Sequence, residues 1–522
     1  MQADESVHWA DRAAERIIRE KGDKGQYTIA AGITPSGIVH IGNFREIITA
    51  HLIERALKDR KKKVRFIYSW DDYDVFRKVP VNLPNQEELK KHLRKPVSAV
   101  PDPFGCHESY AQHFEKQVEE ALPAVGIRPE FISQQQMYRR RAYAQQIRQA
   151  LEQTAAITPI LNRYRKEPLA ADWLPITVFC GRCGRDTART AYDGEYQLTY
   201  TCACGASETI DFRKAGIVKL KWRVDWPMRW SYENVDFESG GKDHFAAGGS
   251  YDTGKQIVAA VWKRDPPTSI RYEWIGVKGG EQFHSSTGNV VTLQQLLEVY
   301  EPEVVRYLFA STRPEAEFAI SFDADVIKIC EDFDACERTA FAQHAVSAKE
   351  QAKQRRIYEL SFIGTLPASI PFQPSFRHLT TILQIHQMDC GKAIGFLEHE
   401  LRNAHDRRRL EQRALCAKRW LEQYAPEQYR FTVQAEVPEG LQLGEKQRQA
   451  LKILSQKLRE RDWTDIELHE EFYVLCKNLG LSNTDFFEAA YQVLVNKPKG
   501  PRLASFILHI GREQVAELFE GV

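Results

Sequence analysis

One segment near the N-terminus decides the fold of this chain, and it reads Gly32-Ile33-Thr34-Pro35-Ser36-Gly37-Ile38-Val39-His40-Ile41-Gly42-Asn43. Residues 27–33 form a short β-branched and apolar run, whereas residues 44–56 carry apolar side chains at helical spacing. The pattern predicts a strand, a glycine-containing loop and a helix. Backbone amides at the start of such a helix can face an anion, which makes a nucleotide the natural ligand of the loop.

Two side chains of this loop suit phosphate chemistry. His40 and Asn43 lie one helical turn apart, so both can donate to a phosphate on which negative charge develops during phosphoryl or adenylyl transfer. Gly37 and Gly42 have no Cβ to keep a flat ligand away from the backbone. The alternative is an ordinary strand–helix connection with a surface histidine, because short patterns of this kind recur by chance.

The segment resembles the ATP-binding signature of class I aminoacyl-tRNA synthetases in its HIGN form. The longer pattern T-P-S-G-x-x-H-x-G-N-x-R-E resembles the class I lysyl-tRNA synthetases, and the resemblance extends over nearly the whole chain. The supporting blocks are Trp70-Asp71-Asp72-Tyr73-Asp74, residues 101–110, residues 222–230, Gly241-Lys242-Asp243-His244 and residues 500–506. The resemblance implies a lysine–tRNA ligase that uses ATP and Mg²⁺ to form lysyl-adenylate and then charges tRNA(Lys).

Length and charge bound the possible architectures. At 522 residues and 60.1 kDa the chain is long enough for roughly three or four domains of ~150 residues each. The chain has 72 basic and 71 acidic residues, so its net charge is close to zero. A nucleic-acid partner must therefore be held by a local basic stripe and not by net charge. The sequence has neither a signal-peptide pattern nor ~18 uninterrupted apolar residues, so we expect a soluble, cytoplasmic protein without membrane contact.

A second strand is predicted over residues 64–70, and it delivers three acidic residues to its C-terminal end. Open α/β sheets bind their ligands at that edge, and Asp71, Asp72 and Asp74 there suit a cationic substrate. A polar strand end that faces water is the alternative interpretation. Further strands are predicted over residues 235–238 and 269–275, with a helix over 253–262 between them.

These patterns predict an α/β protein with a Rossmann-like, doubly wound catalytic domain, a zinc-containing insertion and an all-α C-terminal domain. By resemblance, the C-terminal domain binds the anticodon. The predicted boundaries are 1–77 for the first half of the catalytic domain, 78–212 for the insertion, 213–292 for the second half with the second ATP loop, 293–365 for a helical connecting domain and 366–522 for the anticodon-binding domain.

Four cysteines predict a closed zinc site. Cys180, Cys183, Cys202 and Cys204 form two short-spaced pairs with a glycine beside each pair, and the segment between the pairs reads as a hairpin. A disulfide pair is the alternative, which a cytosolic setting disfavours. A second group within twelve residues offers a carboxylate, a thiolate and two imidazoles, namely Asp102, Cys106, His107 and His113. The resemblance implies that this group is also a zinc site, and we expect both sites to be structural.

The resemblance also implies residues for the substrates. The expected ATP-binding residues are Ser36, Gly37, His40, Gly42, Asn43, Lys278, Ser285 and Ser286. The expected lysine pocket contains Gly32, Thr34, Trp222, His244 and Tyr272, with Asp71 or Asp72 to oppose the substrate ammonium. Core packing is the alternative role for Trp222 and Tyr272.

The second ATP loop departs from its usual lysine-methionine-serine signature. Gln282 stands at the lysine position, and Phe283 and His284 follow it. With the residues of the first loop, the expected catalytic set is His40, Asn43, Gln282 and His284. A neutral amide gives up a charge-assisted hydrogen bond, although Lys278 or His284 could replace it in part. The alternative function is therefore a paralogue with impaired chemistry, either a tRNA or lysine binder or a ligase for a lysine-like amino acid and an acceptor other than tRNA.

A basic segment in the C-terminal half is the expected tRNA contact. Its arginines are Arg407, Arg408, Arg409, Arg413 and Arg419, with Trp420 nearby to stack on unpaired bases. An ordinary solvated helix face explains the same charges. Residues 139–141 form a second basic segment, which we expect at the acceptor stem. We expect a monomer.

Overall fold

The computed structural model describes residues 8–278 and 290–522, which divide into two compact units. The first unit comprises Met1–Leu297, Pro302–Ile320 and Cys336–Leu366. The second comprises Glu298–Glu301, Ser321–Ala335 and Pro367–Val522. Among the described residues, none of the helices combines the length and apolar character that a membrane span requires.

The strands of the described residues belong to short sheets. They are β1 (Gln26–Ile33), β2 (Lys63–Trp70), β3 (Glu130–Ser133), β4 (Ile176–Val178), β5 (Ala188–Gly194), β6 (Gln197–Cys202), β7 (Ser207–Asp211), β8 (Val218–Leu220), β9 (Phe237–Glu238), β10 (Gly240–Gly241), β11 (Arg271–Tyr272), β12 (Ile275–Val277) and β13 (Phe318–Ile320).

Helices connect these strands and form most of the second unit. They are α1 (Trp9–Lys21), α2 (Ile41–Asp59), α3 (Gln86–Lys91), α4 (Tyr110–Ala121), α5 (Gln134–Arg139), α6 (Ala144–Glu152), α7 (Thr154–Asn162), α8 (Trp222–Tyr232), α9 (Ser250–Trp262), α10 (Leu293–Val299), α11 (Pro302–Ser311), α12 (Asp325–Ala340), α13 (Ala348–Ser361), α14 (Phe376–Ile385), α15 (Cys390–Leu397), α16 (Ala404–Gln423), α17 (Glu445–Glu460), α18 (Asp465–Leu479), α19 (Asn483–Val495), α20 (Leu503–Ile510) and α21 (Arg512–Glu520).

A parallel sheet with strand order β3-β2-β1-β9 forms the centre of the first unit. The register pairs Ile33 with Trp70, so β1 and β2 end at the same level and bring residues 34 and 71 to one edge. The predicted α/β fold class is confirmed by this sheet and the helices that flank it.

Two sequence predictions about strands need correction. The strand β3 lies inside the predicted insertion of residues 78–212, yet it pairs in parallel with β2 and belongs to the central sheet. With only four residues of mixed polarity, β3 lacks the longer apolar run that would predict a buried strand. The predicted strand over 269–275 is divided into β11 and β12, which pair with different partners, Gly240–Gly241 and Phe318–Ile320.

The close approach of β1 to β2 depends on a glycine. A Cβ at Gly32 would lie 2.6 Å from the carbonyl oxygen of Ser69, a distance that real Cβ atoms do not show. The helix α2 then packs against the sheet through side chains at helical spacing, including the buried Ile47, Ile48 and Leu52. Strand, loop and helix therefore form as the sequence predicts, with the loop at the sheet edge.

Within the second unit, one predicted RNA-contacting arginine is instead part of the interior. The side chain of Arg413 is 0% exposed and pairs with Glu301 at 2.7 Å and Asp334 at 2.8 Å. Its neighbour Arg409 is mostly buried and contacts the same two carboxylates. The prediction that these two arginines face RNA is therefore wrong, because their side chains are buried and paired with carboxylates.

The rest of the predicted basic stripe lies on the outside of α16. Arg407, Arg408 and Arg419 are exposed, whereas the indole of Trp420 is buried and donates to the carbonyl of Phe322. Trp420 is therefore a core residue and not a surface for stacking bases. The three exposed arginines remain predicted RNA contacts.

Candidate active site

A cavity of about 430 Å³ opens at the C-terminal edge of β1 and β2. Its wall brings together residues from α2, the ends of both strands, β8, the start of α8 and β11. The lining residues are Gly32, Ile33, Thr34, Asn43, Glu46, Asp71, Asp74, Val75, Arg77, Thr177, Lys219, Leu220, Lys221, Trp222, His244 and Tyr272. Six of the residues predicted for the lysine pocket thus line this one cavity, namely Gly32, Thr34, Asp71, Trp222, His244 and Tyr272.

The HIGN residues form a capping box at the start of α2. His40 is the N-cap and its Nδ1 accepts the backbone amide of Gly42 at 3.1 Å, while Asn43 Oδ1 accepts the backbone amide of His40 at 3.1 Å. Because Nδ1 is an acceptor, the neutral imidazole carries its proton at Nε2. The Asn43 oxygen is engaged, so its amide NH₂ is the group that can donate to a ligand.

Because Gly42 has no Cβ, the His40 imidazole that caps α2 has room beside it. A Cβ at Gly42 would lie 2.8 Å from Cε1 and 2.9 Å from Nδ1 of His40. The sequence interpretation assigned that space to a flat ligand, whereas the His40 imidazole itself fills it. Earlier in the loop, the backbone amide of Ser36 donates to the carbonyl of Thr34, and the Ser36 carbonyl accepts the hydroxyl of Tyr110 at 2.7 Å.

Ion pairs neutralise two carboxylates of the cavity wall. Asp71 pairs with Arg229 at 2.6 Å, and Asp74 pairs with Lys219 at 3.0 Å. Burial raises the pKa of Asp71 to about 6 although Arg229 opposes the shift. The pKa of Asp74 is lowered, because Lys219 and the hydroxyl of Thr34, 3.2 Å away, outweigh its burial.

Asp72 does not share the position of its neighbour Asp71. Its carboxylate accepts the hydroxyl of Ser133 at 2.5 Å and the backbone amide of Gln135 at 2.7 Å, at the junction of β3 and α5. Successive residues after a strand point in different directions, so one of the two adjacent acids faces the cavity and the other does not. Of the two acids predicted to oppose the substrate ammonium, Asp71 lines the cavity and Asp72 does not.

Glu46 is a cavity residue that the sequence interpretation missed. Its Oε1 accepts the backbone amide of Gly32 at 2.9 Å and its Oε2 accepts the hydroxyl of Tyr272 at 2.8 Å. Burial raises the pKa of Glu46 to about 8, and the nearby Glu238 and Asp71 add to the shift. Glu46 could have been found from the sequence, because it is the last residue of the T-P-S-G-x-x-H-x-G-N-x-R-E motif.

Aromatic side chains form another part of the wall. The ring of Trp222 stacks on Trp226 with centroids 5.3 Å apart, and the guanidinium of Arg229 lies 5.6 Å from the centroid of Trp222. His244 lies against Trp226 and shares a hydrogen bond of 2.6 Å with Ser250, and burial lowers its pKa. Trp222 thus packs on the core and also lines the cavity, which combines the two alternative roles.

The second ATP loop can be followed only at its flanks. Gln282, His284, Ser285 and Ser286 lie outside the described residues. Before them, the backbone amide of Lys278 donates to Ile320 at 2.9 Å, which extends the pairing of β12 with β13. After them, the carbonyl of Val291 accepts the backbone amide of Ile41 at 2.8 Å. Val291 therefore lies beside the first turn of α2.

The four predicted cysteines converge in the insertion. The sulfur atoms of Cys180, Cys183, Cys202 and Cys204 lie within 4.8 Å of one another, and two of the separations are 3.7 Å. A tetrahedron with zinc–sulfur bonds of ~2.3 Å has sulfur atoms ~3.8 Å apart, whereas a disulfide requires ~2.05 Å. The arrangement fits a tetrahedral thiolate site and excludes a disulfide.

The second predicted group converges as well. Cys106 Sγ lies 3.3 Å from Asp102, 3.1 Å from His107 Nδ1 and 3.2 Å from His113 Nδ1. A turn at residues 102–107 brings Asp102, Cys106 and His107 together, since Asp102 accepts the backbone amides of Phe104, Cys106 and His107. One oxygen, one sulfur and two nitrogen donors within 4.8 Å fit a tetrahedral metal site.

Besides Glu46, the sequence interpretation missed the two cations that pair with the cavity carboxylates Asp71 and Asp74. Lys219 and Arg229 are buried beside their carboxylates, and Asp225 contacts both of them, at 3.4 Å and 3.5 Å. A buried lysine in the three-residue strand β8 has no distinctive local pattern. Arg229 could have been found from the sequence, because it lies in residues 222–230, one of the blocks that carry the family resemblance.

Comparison with known proteins agrees with this geometry. The family described as tRNA synthetases class I (K) matches residues 7–363. A lysine–tRNA ligase of Treponema pallidum is 45% identical over 98% of this chain and 98% of that protein. The corresponding values are 44%, 98% and 99% for a lysine–tRNA ligase of Borreliella burgdorferi, and 42%, 98% and 98% for one of Thermococcus kodakarensis. The match over two thirds of the chain and the near-complete alignments establish that the chain belongs to the class I (K) family of tRNA synthetases.

Proposed function

We propose that this chain is a lysine–tRNA ligase, which activates lysine with ATP and transfers it from lysyl-adenylate to tRNA(Lys). The observation that carries the proposal is the cavity, in which Asn43 at the start of α2 and the carboxylates of Glu46, Asp71 and Asp74 face one space. An anion-binding helix start beside a carboxylate-rich wall suits a substrate that joins a phosphate to a cationic amino acid. The names of the relatives agree with this assignment.

In the first step the protein has to position the two substrates and stabilise the negative charge that develops on the phosphate. The lysine carboxylate attacks the α-phosphate of ATP and pyrophosphate leaves, so negative charge develops on the phosphate oxygens. The Nε2–H of His40 and the amide NH₂ of Asn43 are the donors we assign to that charge, because their other atoms are held in the capping box. The backbone amides of the first turn of α2 add their dipoles.

Metal ions enter in two different roles. Mg²⁺ would arrive with ATP and neutralise its phosphates. Zinc would be structural, held by Cys180, Cys183, Cys202 and Cys204 and by the group of Asp102, Cys106, His107 and His113. Each group supplies a complete tetrahedral donor set, which leaves no position for a reacting water. The zinc sites would therefore hold loops of the insertion in place.

We place tRNA on exposed basic residues. Arg407, Arg408 and Arg419 are the contacts we assign to the anticodon side, and the exposed residues 139–141 are those we assign to the acceptor stem. The basic and acidic residues of the whole chain nearly balance, so such local stripes are where RNA affinity would arise. We propose a cytoplasmic monomer.

Pyrophosphate exchange tests the proposal. Purified protein is incubated with ATP, labelled pyrophosphate and each amino acid, with and without tRNA, and lysine is expected to support exchange above all others. Transfer of labelled lysine to tRNA is then measured. Exchange with no amino acid in either condition would rule the ligase function out and leave the alternative of a lysine- or tRNA-binding paralogue, which the missing lysine at Gln282 favours.

A further inference from the structure

Arg45 lies in the second turn of α2, and its guanidinium has backbone carbonyls as its hydrogen-bond acceptors. The residue is 2% exposed, and its Nη1 donates to the carbonyl oxygens of Glu273 at 2.8 Å and Trp274 at 3.2 Å. Its Nη2 donates to those of Arg313 at 3.1 Å and Ala316 at 2.7 Å. Among the described residues, no carboxylate forms an ion pair with Arg45. The guanidinium therefore joins α2 to the main chain of two other segments.

These two segments lead into the paired strands β12 and β13. Residues 273–274 directly precede β12, and residues 313–316 form a turn shortly before β13. The backbone amide of Glu273 donates to the carbonyl of Pro314 at 2.9 Å, so the two segments also contact each other. β12 and β13 form a two-stranded sheet, and no strand of the central sheet pairs with either of them within the described part of the chain. Arg45 thus fastens to α2 a strand pair that the hydrogen bonds of the central sheet do not hold.

The shape of the guanidinium suits this connection. It presents its N–H donors in a rigid planar fork, whereas a lysine ammonium is a compact charge on a flexible stem. The fork of Arg45 also lies 5.2 Å from the ring centroid of Phe318 on β13. Contacts with four carbonyls and one ring fix the distance and the angle between α2 and the strand pair.

The two elements that Arg45 joins both carry residues proposed for ATP. His40 and Asn43 lie at the start of α2, and Lys278 directly follows β12, where its backbone amide donates to Ile320 at 2.9 Å. We propose that Arg45 is a positioning residue, which holds Lys278 and the end of β12 at the distance from the start of α2 that the reaction with ATP requires. This inference rests on the proposed function, because it names a residue that aligns the two ATP-binding segments of that reaction.

Alignment of this kind affects the rate strongly. A displacement of ~1 Å can cost ~10²-fold in a reaction that depends on position. Lys278 lies four residues beyond Trp274, which is ~13 Å along an extended strand, so a small rotation at Trp274 becomes a larger shift at Lys278. After the second ATP loop, the carbonyl of Val291 accepts the backbone amide of Ile41. Helix α2 therefore contacts the chain before and after that loop, and Arg45 makes the contact before it.

Arg45→Lys keeps the positive charge and removes the planar fork, so it tests the geometry of the contact. We expect kcat/KM for ATP in pyrophosphate exchange to fall at least about tenfold, because the end of β12 is no longer held at the required distance. The dissociation constant for lysine, measured by calorimetry without ATP, should change less than about threefold. A wild-type kcat/KM for ATP, or an equal loss of lysine affinity, would overturn the proposal.

Arg306→Lys is the matched control. Arg306 on α11 is 1% exposed and likewise donates to backbone carbonyls, those of Val125, Leu360 and Ser361. Burial lowers its pKa to about 9, as it lowers that of Arg45 to about 10. Its acceptors lie outside the cavity wall and away in sequence from the second ATP loop, so kcat/KM per folded molecule should stay within about threefold of wild type. Equal losses in the two variants would mean that both arginines only support the fold, which would overturn the proposal.

Hydrogen exchange tests the position of β12 without any enzymatic activity. The backbone amide of Lys278 should exchange at least about tenfold faster in Arg45→Lys than in wild type, and at the wild-type rate in Arg306→Lys. Unchanged exchange in Arg45→Lys would contradict the inference. Because this measurement needs neither ATP nor lysine, it separates failure of the inference from failure of the proposed ligase function, which pyrophosphate exchange with wild-type protein reports.

Phe318→Leu tests the proposal if Arg45→Lys does not fold. The variant leaves the four carbonyl acceptors in place and removes the ring beside the guanidinium, so Arg45 is held less firmly. We expect kcat/KM for ATP to fall at least about threefold while the dissociation constant for lysine stays at the wild-type value. A wild-type kcat/KM for ATP in this variant would overturn the role of Arg45.

Discussion

His40 accepts the backbone amide of Gly42 through Nδ1 over 3.1 Å, so the histidine proposed to contact phosphate is also the cap of α2. The two roles use different atoms. The cap occupies Nδ1 and places the proton on Nε2, and the side chain is 9% exposed. Structural support and catalysis therefore have to be separated by the choice of substitution.

His40→Asn and His40→Ala make that separation. Asparagine is a good N-cap residue, whereas alanine is not, so His40→Ala should lose about 1 kcal/mol of unfolding free energy and His40→Asn much less. Both variants should lower the rate of pyrophosphate exchange by ~10²-fold or more, because both lack the imidazole donor. Urea unfolding and exchange assays measure the two effects. Full activity in His40→Asn would show that the imidazole acts only as a cap.

Gly42→Ala tests the close contact in the loop. The new Cβ would lie 2.8 Å from His40 Cε1, so the imidazole must move away from its capping position. We expect exchange activity to fall by at least tenfold with a loss of roughly 1 kcal/mol in stability, as for a missing cap. Gly276→Ala is a suitable control, since a Cβ there meets no atom within 4 Å. Equal behaviour of the two variants would contradict the prediction.

Metal content tests the two clusters of donors. We expect one to two zinc ions per chain, and Cys180→Ser should lose one of them and destabilise the insertion while the nucleotide-binding sheet remains folded. Cys390→Ser, outside both clusters, should keep the full zinc content. Elemental analysis and limited proteolysis make the comparison. Metal-free wild-type protein with four alkylatable thiols at residues 180, 183, 202 and 204 would disprove the zinc assignment.

Substitutions in α16 should divide the predicted basic stripe into two groups. Arg413→Met leaves Glu301 and Asp334 without their buried partner, and it should cost about 3–5 kcal/mol of stability. Arg408→Ala should change stability by less than about 0.5 kcal/mol and raise the KM for tRNA, because Arg408 is exposed. Thermal unfolding and aminoacylation kinetics report the two outcomes. A stable, fully folded Arg413→Met would contradict the structural role.

Gln282→Lys restores the usual residue of the second ATP loop. If a missing cation limits the wild-type enzyme, the substitution should raise the rate of adenylate formation by roughly ten- to a hundredfold while the KM for lysine stays nearly unchanged. Pyrophosphate exchange for Gln282→Lys, Lys278→Ala and His284→Ala measures this. No gain in Gln282→Lys, together with a loss in either of the other two variants, would mean that Lys278 or His284 already supplies the cation.

Local patterns in the sequence were sufficient for the parts of the molecule that short-range interactions build. The run of residues 27–56 predicts β1, the loop and α2, because alternation, glycine and helical spacing act within a few residues. The two cysteine pairs likewise announce a tetrahedral site, since each pair forms on its own turn. The sequence did not predict the four-residue β3 or the break between β11 and β12. Strands that short are specified by their partners in the sheet and not by their own residues.

Tertiary structure alone decided which charges meet in the cavity and which are buried elsewhere. Arg229 reaches Asp71 across 158 positions of sequence, and Arg413 reaches Asp334 across 79, so no local pattern could pair them. The sequence shows Asp71 and Asp72 as equivalent neighbours, and only the packed strand ends turn one toward the cavity and the other toward Ser133. The contacts of Glu46 with Gly32 and Tyr272 are decided in the same way, because the energy of a charge depends on neighbours that the fold brings together.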